Sequence, residues 1–204
     1  MKKYILPAFM LLIMNACTVD PEYEHYHFRE YDAVTDNMKI AHIVENFDDN
    51  KNGWPLYESE LQNAVIDNGH LVVQNDYTSN WDRWLVIPDI EGEHEIEYSF
   101  RVVQSSSDEP VWAFCGTERI GFDSERLGIT YSFTTLPETV EVNPMGEYNK
   151  LTVRNIDGTC LIFVNEKVAR MTNDMPRTAR VGLTVPANTH VELDYVHVYS
   201  LDID

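Results

Sequence analysis

His94-Glu95-Ile96-Glu97-Tyr98-Ser99-Phe100-Arg101-Val102 is the stretch that decides the fold class. Ile96, Tyr98, Phe100 and Val102 share one parity, and Glu95, Glu97, Ser99 and Arg101 share the other. That period of two is expected of a β-strand, whose successive side chains leave opposite faces. One face is suited to a core and the other to water, so Glu93, Glu95 and Glu97 are expected on a solvated outer face. The same period recurs at Leu151/Val153, at Leu161/Phe163 and at Val181/Leu183/Val185. Turn signals separate these runs: Asp67-Asn68-Gly69, Ser105-Ser106-Ser107-Asp108, Asn143-Pro144-Met145-Gly146 and Pro186-Ala187-Asn188. Asn155-Ile156-Asp157-Gly158 lies between two alternating runs and signals a hairpin.

Candidate strands cover 43–48, 64–66, 70–75, 81–87, 94–103, 111–116, 127–134, 138–142, 149–155, 159–165, 167–171, 179–185 and 190–200. No stretch sustains a helical period; residues 56–61 fit one or two helical turns at most. Short strands at regular spacing without helices predict an all-β protein, two antiparallel sheets packed as a sandwich.

The chain opens MKKYILPAFMLLIMNAC. Lys2 and Lys3 precede an apolar run at 4–14 that is too short to span a bilayer comfortably. Met14-Asn15-Ala16-Cys17 resembles a bacterial lipobox, which implies cleavage after Ala16 and lipid on the thiol and new amino group of Cys17. An ordinary secretory signal with a chance Cys is the alternative. Residues 1–16 are therefore expected as a lipoprotein signal peptide, 17–42 as the lipidated Cys and a flexible tether, and 43–204 as the sandwich domain. More than one acyl chain anchors stably where one does not. The expected location is the bacterial cell envelope, as an outer-membrane lipoprotein facing the periplasm or the surface, with the membrane as a partner through Cys17. His25 and His27 can share one side of the extended tether, but without a supporting carboxylate or Cys they read as linker.

The 204-residue chain carries a formal charge of −19. Without Lys2 and Lys3, 13 Lys and Arg face 34 Asp and Glu, a net charge of −21. Such a field repels nucleic acid, so no nucleic-acid partner is expected; cations, basic proteins and neutral ligands are favoured. Cys115 and Cys160 remain after the leader, able to pair in an envelope compartment or to stay as buried thiols.

The order of motifs resembles a known superfamily. Phe47-Asp48-Asp49 with Gly53-Trp54 opens it, and Asn68-Gly69-His70-Leu71-Val72-Val73 follows. Asn149-Lys150-Leu151-Thr152-Val153, Phe163-Val164-Asn165-Glu166-Lys167-Val168 and a closing Val191-Glu192-Leu193-Asp194-Tyr195-Val196 complete it. Together they resemble the concanavalin A-like lectin/glucanase superfamily, in particular the laminin-G-like domains of Bacteroidetes-type lipoproteins. The resemblance implies a jelly-roll sandwich over residues 43–200 and is nearly silent on activity.

Three constellations stand out. Asp48, Asn50 and Asn52, followed by Gly53, offer oxygens at alternate positions, suited to a hard cation such as Ca²⁺. By the resemblance, Asp194 or Glu192 could complete such a structural calcium site; the alternative is a turn whose side chains satisfy their own backbone. Glu93, Glu95 and Glu97 resemble in outline the clan's endoglucanase strand motif, but the middle Asp is absent. Trp81, Arg83, Trp84, Trp112 and Tyr131 are candidate ligand-binding residues, because aromatic faces stack on sugar rings. Trp81 and Trp84 have opposite parity, so one of them should face away from the core. Arg83, Arg101, Arg119 and Arg126 are scarce cations, placed to bind an anionic glycan or to neutralise nearby carboxylates. The expected function is a non-catalytic, carbohydrate-binding jelly roll. The alternatives are a glycoside-active enzyme of similar fold, or an inhibitor or immunity-type protein that binds a basic partner.

Overall fold

The computed structural model describes residues 30–116, 118–123, 127–131, 134–135, 140–173 and 180–203. Cys17, the His25/His27 pair and Arg126 lie outside the described residues. In chain order the strands are β1 (Lys39–Glu45), β2 (Tyr57–Glu58), β3 (Gln62–Asp67), β4 (His70–Asn75), β5 (Trp81–Val86), β6 (His94–Ser105), β7 (Val111–Cys115) and β8 (Glu118–Asp123). Then follow β9 (Gly128–Tyr131), β10 (Thr134–Thr135), β11 (Asn149–Ile156), β12 (Thr159–Val164), β13 (Lys167–Thr172), β14 (Arg180–Val185) and β15 (Thr189–Leu201). The larger sheet has the order β13-β12-β11-β6-β15-β4-β3-β2, with β1 also pairing β15; the smaller is β10-β9-β8-β7-β14-β5. All pairings are antiparallel, and the sheets pack face to face as a jelly-roll sandwich.

Ile96, Tyr98, Phe100 and Val102 enter the core with Leu151, Val153, Val181, Leu183 and Val185. The Asp157-Gly158 turn has φ of 49° and 72°, the two positive values that a tight hairpin needs. Cys115 and Cys160 are both buried thiols. Three local expectations change. Residues 56–61 form no helical turn: Tyr57 and Glu58 make β2, and Ser59 Oγ accepts the Gln62 N–H at 3.0 Å. β8 is a strand outside the expected set, its alternation resting on Ile120 and Phe122 alone. Residues 140–142 lie in no strand.

Tyr98 ties the sheets together. Its fully buried hydroxyl donates to the Phe114 carbonyl on β7 and accepts the Gly182 N–H of β14 at 3.1 Å. A Cβ on Gly182 would overlap the Arg83 carbonyl and Trp84 Cα on β5, so glycine is what lets β5 and β14 approach.

The outer face of the larger sheet is not open to water. Glu95 and Glu97 are 0% and 6% exposed, against the expectation of a solvated face. The cause is a strap, residues 30–38, that folds back over the sheet through short 3-10 turns at Tyr31–Ala33 and Asp36–Met38. Residues 30–42 therefore belong to the domain and not to a tether. The Tyr31 ring meets Phe163 edge-on at 5.6 Å, and its hydroxyl donates to Glu97 at 3.0 Å. Fully buried Arg154 donates from Nε to Glu95 at 2.6 Å and from Nη2 to the Tyr31 carbonyl at 3.1 Å. Lys39 Nζ lies 2.7 Å from Glu95 and 3.3 Å from Glu97. An isolated buried carboxylate would be costly, and these cations offset that cost. Burial pushes the Glu97 carboxyl up, but Lys39, Lys150 and the Tyr31 hydroxyl outweigh it and hold Glu97 below the usual range. The strap also explains β12, where Cys160, Ile162 and Val164 take the core side. Leu161 and Phe163 pair with Arg154 and Thr152 and face outward, the reverse of the expected parity.

The Phe47–Trp54 loop is organised from outside itself, by Glu45. That buried carboxylate accepts from the Phe47 N–H (2.8 Å), Asn52 Nδ2 (2.8 Å) and Trp54 Nε1 (3.1 Å). Phe47, at φ 56°, is held in the left-handed region by the first of these bonds. Asn50 Oδ1 accepts the Trp54 N–H at 2.7 Å, and its Nδ2 donates to the Trp54 carbonyl at 3.1 Å.

Three outcomes follow for stability. Glu45→Gln turns an amide toward groups that all donate, and should cost roughly 1–3 kcal/mol in denaturant unfolding; EDTA should leave the melt unchanged, and a drop of several degrees on chelation would restore a cation to this loop. Arg154→Ala strands Glu95 and should cost roughly 3–5 kcal/mol, toward the lower end because Lys39 remains. The Glu97 contribution is sensitive to acid. Its folded pKa is depressed, so its stabilisation is complete above the unfolded value of about 4.3 and is lost as pH falls through the lower folded value. Hydrogen exchange in residues 30–38 should stay slow at neutral pH and accelerate selectively in strong acid; uniform protection across that range would contradict the clamp.

Candidate functional site

The outer face of the smaller sheet carries two rows of side chains set by strand register. One row runs Trp84 on β5, Gly182 on β14, Phe114 on β7 and Arg119 on β8. The other runs Asp82, Thr184, Trp112 and Gly121 on the same strands. Directly opposed residues of an antiparallel pair share a face, so these eight project away from the core. All five residues of β7 are buried, as a strand covered on both sides requires.

Gly182 contributes no side chain to the first row. The Arg180 guanidinium lies against both flanking rings, 5.4 Å from the Trp84 centroid and 5.1 Å from Phe114. In the second row, Thr184 Oγ1 donates to Asp82 at 2.6 Å. Trp112 lies so close over Gly121 that an added Cβ would sit 3.0 Å from its ring. Trp112 is 8% exposed and Phe114 4%, whereas Trp84 is half-buried at the open edge of the sheet. There, Trp84, Asp82, Arg83 and Pro55 line an open hollow of about 350 Å³.

The opposite parity of β5 builds the other wall. Trp81 turns inward against the core and meets Tyr57 edge-on at 5.8 Å. The Arg83 guanidinium lies 3.3 Å from the Trp81 centroid and 5.9 Å from that of Tyr57. Burial lowers the Arg83 pKa to about 10, with Asp82 opposing at longer range.

Of the residues singled out from sequence, Trp81, Arg83 and Trp84 come together on β5, and Trp112 joins the face of Trp84 two strands away. Tyr131 faces the core at 4% exposure, with Arg170 4.4 Å over its ring. The calcium residues do not assemble. Asn50 is engaged inside its own loop and Asn52 by Glu45 of β1, Asp48 is exposed, and Asp194 faces His70 at 3.6 Å on a bulge of β15. Among the described residues no group of three or more His, Cys, Asp or Glu converges as a metal centre. Glu192 is paired with Arg101 at 2.5 Å. Glu95 and Glu97, which resemble the endoglucanase motif in outline, are held by Arg154, Lys39 and Lys150 on the far sheet.

Sequence reasoning missed Arg180, Gly182, Thr184 and Phe114 as parts of this face. A glycine inside an alternating strand marks a close backbone approach, and Arg180, Gly182 and Thr184 share the parity that opposes Val181, Leu183 and Val185.

No family model matches the chain. No curated protein matches it either. Solved structures do match in fold. A sialidase aligns with a TM-score of 0.58 at 13% identity over 83% of this chain, which spans 20% of the sialidase. The exoplasmic/lumenal domain of VIP36 in its Ca²⁺/Man2-bound form aligns at 0.58 and 11% identity, over 82% of this chain and 91% of that one. The carbohydrate-binding module CBM66 from Bacillus subtilis aligns at 0.52 and 10% identity, over 72% and 96%. The chain is a two-sheet antiparallel jelly-roll β-sandwich of the concanavalin A-like kind.

Proposed function

We propose that this chain is an envelope-anchored lipoprotein whose jelly roll binds a glycan on the outer face of the smaller sheet, with a sugar ring against Trp84. The observation that carries this reading is the half-buried Trp84 ring at the edge of an open hollow, flanked by Asp82, Arg83 and Arg180. A flat aromatic surface beside a few fixed polar groups suits a ring with an apolar face and equatorial hydroxyls. The fold shared with a Man2-bound lectin domain and a carbohydrate-binding module supports the ligand class. Asp82 is already oriented by Thr184, so it can accept from a hydroxyl without first being ordered.

Anchoring fits the same arrangement. The strap enters on the outer face of the larger sheet, where Arg154 grips the Glu30 and Tyr31 carbonyls. A lipid on Cys17 would hold the domain from that side, with the Trp84 face turned away from the membrane. The reading needs no cation in the Phe47–Trp54 loop.

Affinity electrophoresis against a panel of soluble polysaccharides tests the proposal. Trp84→Ala should weaken binding about tenfold or more, a loss of about 1.4 kcal/mol, with an unchanged melting temperature. Met171→Ala, on the exposed edge strand β13, should leave binding alone. Retardation by no polysaccharide, or retardation insensitive to Trp84→Ala, would overturn this assignment.

A further inference from the structure

The chain has few cations, and most of the well-placed ones are consumed. Lys39, Arg101, Lys150, Arg154 and Lys167 all pair with carboxylates. Arg83 and Arg180 lie against aromatic rings instead, one on each side of the strand that carries Trp84. Among the described residues neither forms a salt bridge; Arg170, over the Tyr131 ring, shares that trait, but Arg83 and Arg180 are the two that flank Trp84. Arg83 Nε is buried and makes no hydrogen bond. A half-buried cation with an unfilled donor is stabilised by an anion placed nearby.

We infer that the glycan taken at Trp84 is anionic, its carboxylate or sulfate groups met by Arg83 in the hollow and by Arg180 on the outer face while a sugar ring lies on Trp84. This deepens the glycan-binding reading and rests on it. A guanidinium can take a planar carboxylate or a sulfate in a bidentate manner, and its contact with a ring restricts where it lies. Burial that depresses the Arg83 pKa acts in the same direction, because a bound anion would restore the cation's stabilisation. Asp82 also lines the hollow and accepts from Thr184 Oγ1, which keeps it oriented for a sugar hydroxyl. The overall field of the chain opposes polyanions. The contact must therefore be local, and short oligosaccharides are the appropriate probes.

Titration calorimetry on the full domain with two matched pairs decides the question: trigalacturonate against its methyl ester, and a sulfated galactan oligosaccharide against its desulfated parent. The charged member of at least one pair should bind about tenfold more tightly than its neutral counterpart, and the pair that responds tells carboxylate from sulfate. Arg83→Gln and Arg180→Gln should remove that preference, while Arg83→Lys and Arg180→Lys should keep part of it with the melting temperature unchanged. Equal affinity for charged and neutral members, both lost in Trp84→Ala, would overturn the anionic assignment and leave the glycan-binding reading standing. Binding to neither pair nor to any neutral polysaccharide would overturn both.

Discussion

One hydroxyl holds the two halves of this sandwich in register. Tyr98 stands in the middle of the larger sheet and reaches across the core to two neighbouring strands of the smaller one. Its bond to the Gly182 N–H compensates a buried donor, and an uncompensated one would cost roughly 1–3 kcal/mol. Gly182 adopts φ 144°, in the region that favours glycine, and the absent Cβ lets β5 close on β14. The position of Trp84 relative to Phe114 and Arg180 thus follows from a core constraint on the other side of the same backbone.

Electrostatics divides the molecule into two working faces. On the larger sheet, Lys39, Lys150 and Arg154 are matched against Glu95 and Glu97, and the match is used to hold the strap. Pairs of that kind are poor sources of net stability, because desolvation cancels much of the attraction, but they are effective at specifying one arrangement. Here the specified arrangement is where residues 30–38 lie. On the smaller sheet Arg83 and Arg180 lie against ring faces, which satisfies their electrostatics only in part.

The core alternation of Ile96 to Val102 and the tight turns at Asn68-Gly69 and Asp157-Gly158 were legible from sequence because each depends on neighbours in the chain. The fate of Glu95 and Glu97 was not. Alternation says which side chains avoid the core, and says nothing of a second layer laid over the far face by a segment some sixty residues earlier. β12 shows the same limit: Cys160 to Val164 are apolar at every position, so parity alone could not choose between Leu161/Phe163 and Ile162/Val164. Register with β11 made the choice. In the Phe47–Trp54 loop, the spacing of Asp48, Asn50 and Asn52 suggested an external cation, whereas the organising charge is Glu45, one strand end away. Of the site, the Trp81/Trp84 parity was legible; the placement of Arg180 over Gly182 was not, because it depends on a cross-strand pairing 98 positions apart in the chain.

On the proposed reading of an anchored glycan-binding domain, these two faces avoid a problem that a single-faced domain would meet. A tether that enters near its own ligand site would compete with the ligand for space, and its charges would perturb the site. In this chain the strap occupies the outer face of the larger sheet, with the full thickness of a packed core between it and Trp84. The carboxylates that bind the strap are neutralised where they stand, so their field at the small-sheet face is weak. Arg83 and Arg180 then flank Trp84 in an otherwise acidic molecule, so on the proposed reading the charge preference at Trp84 follows from these two guanidinium groups and not from the net charge.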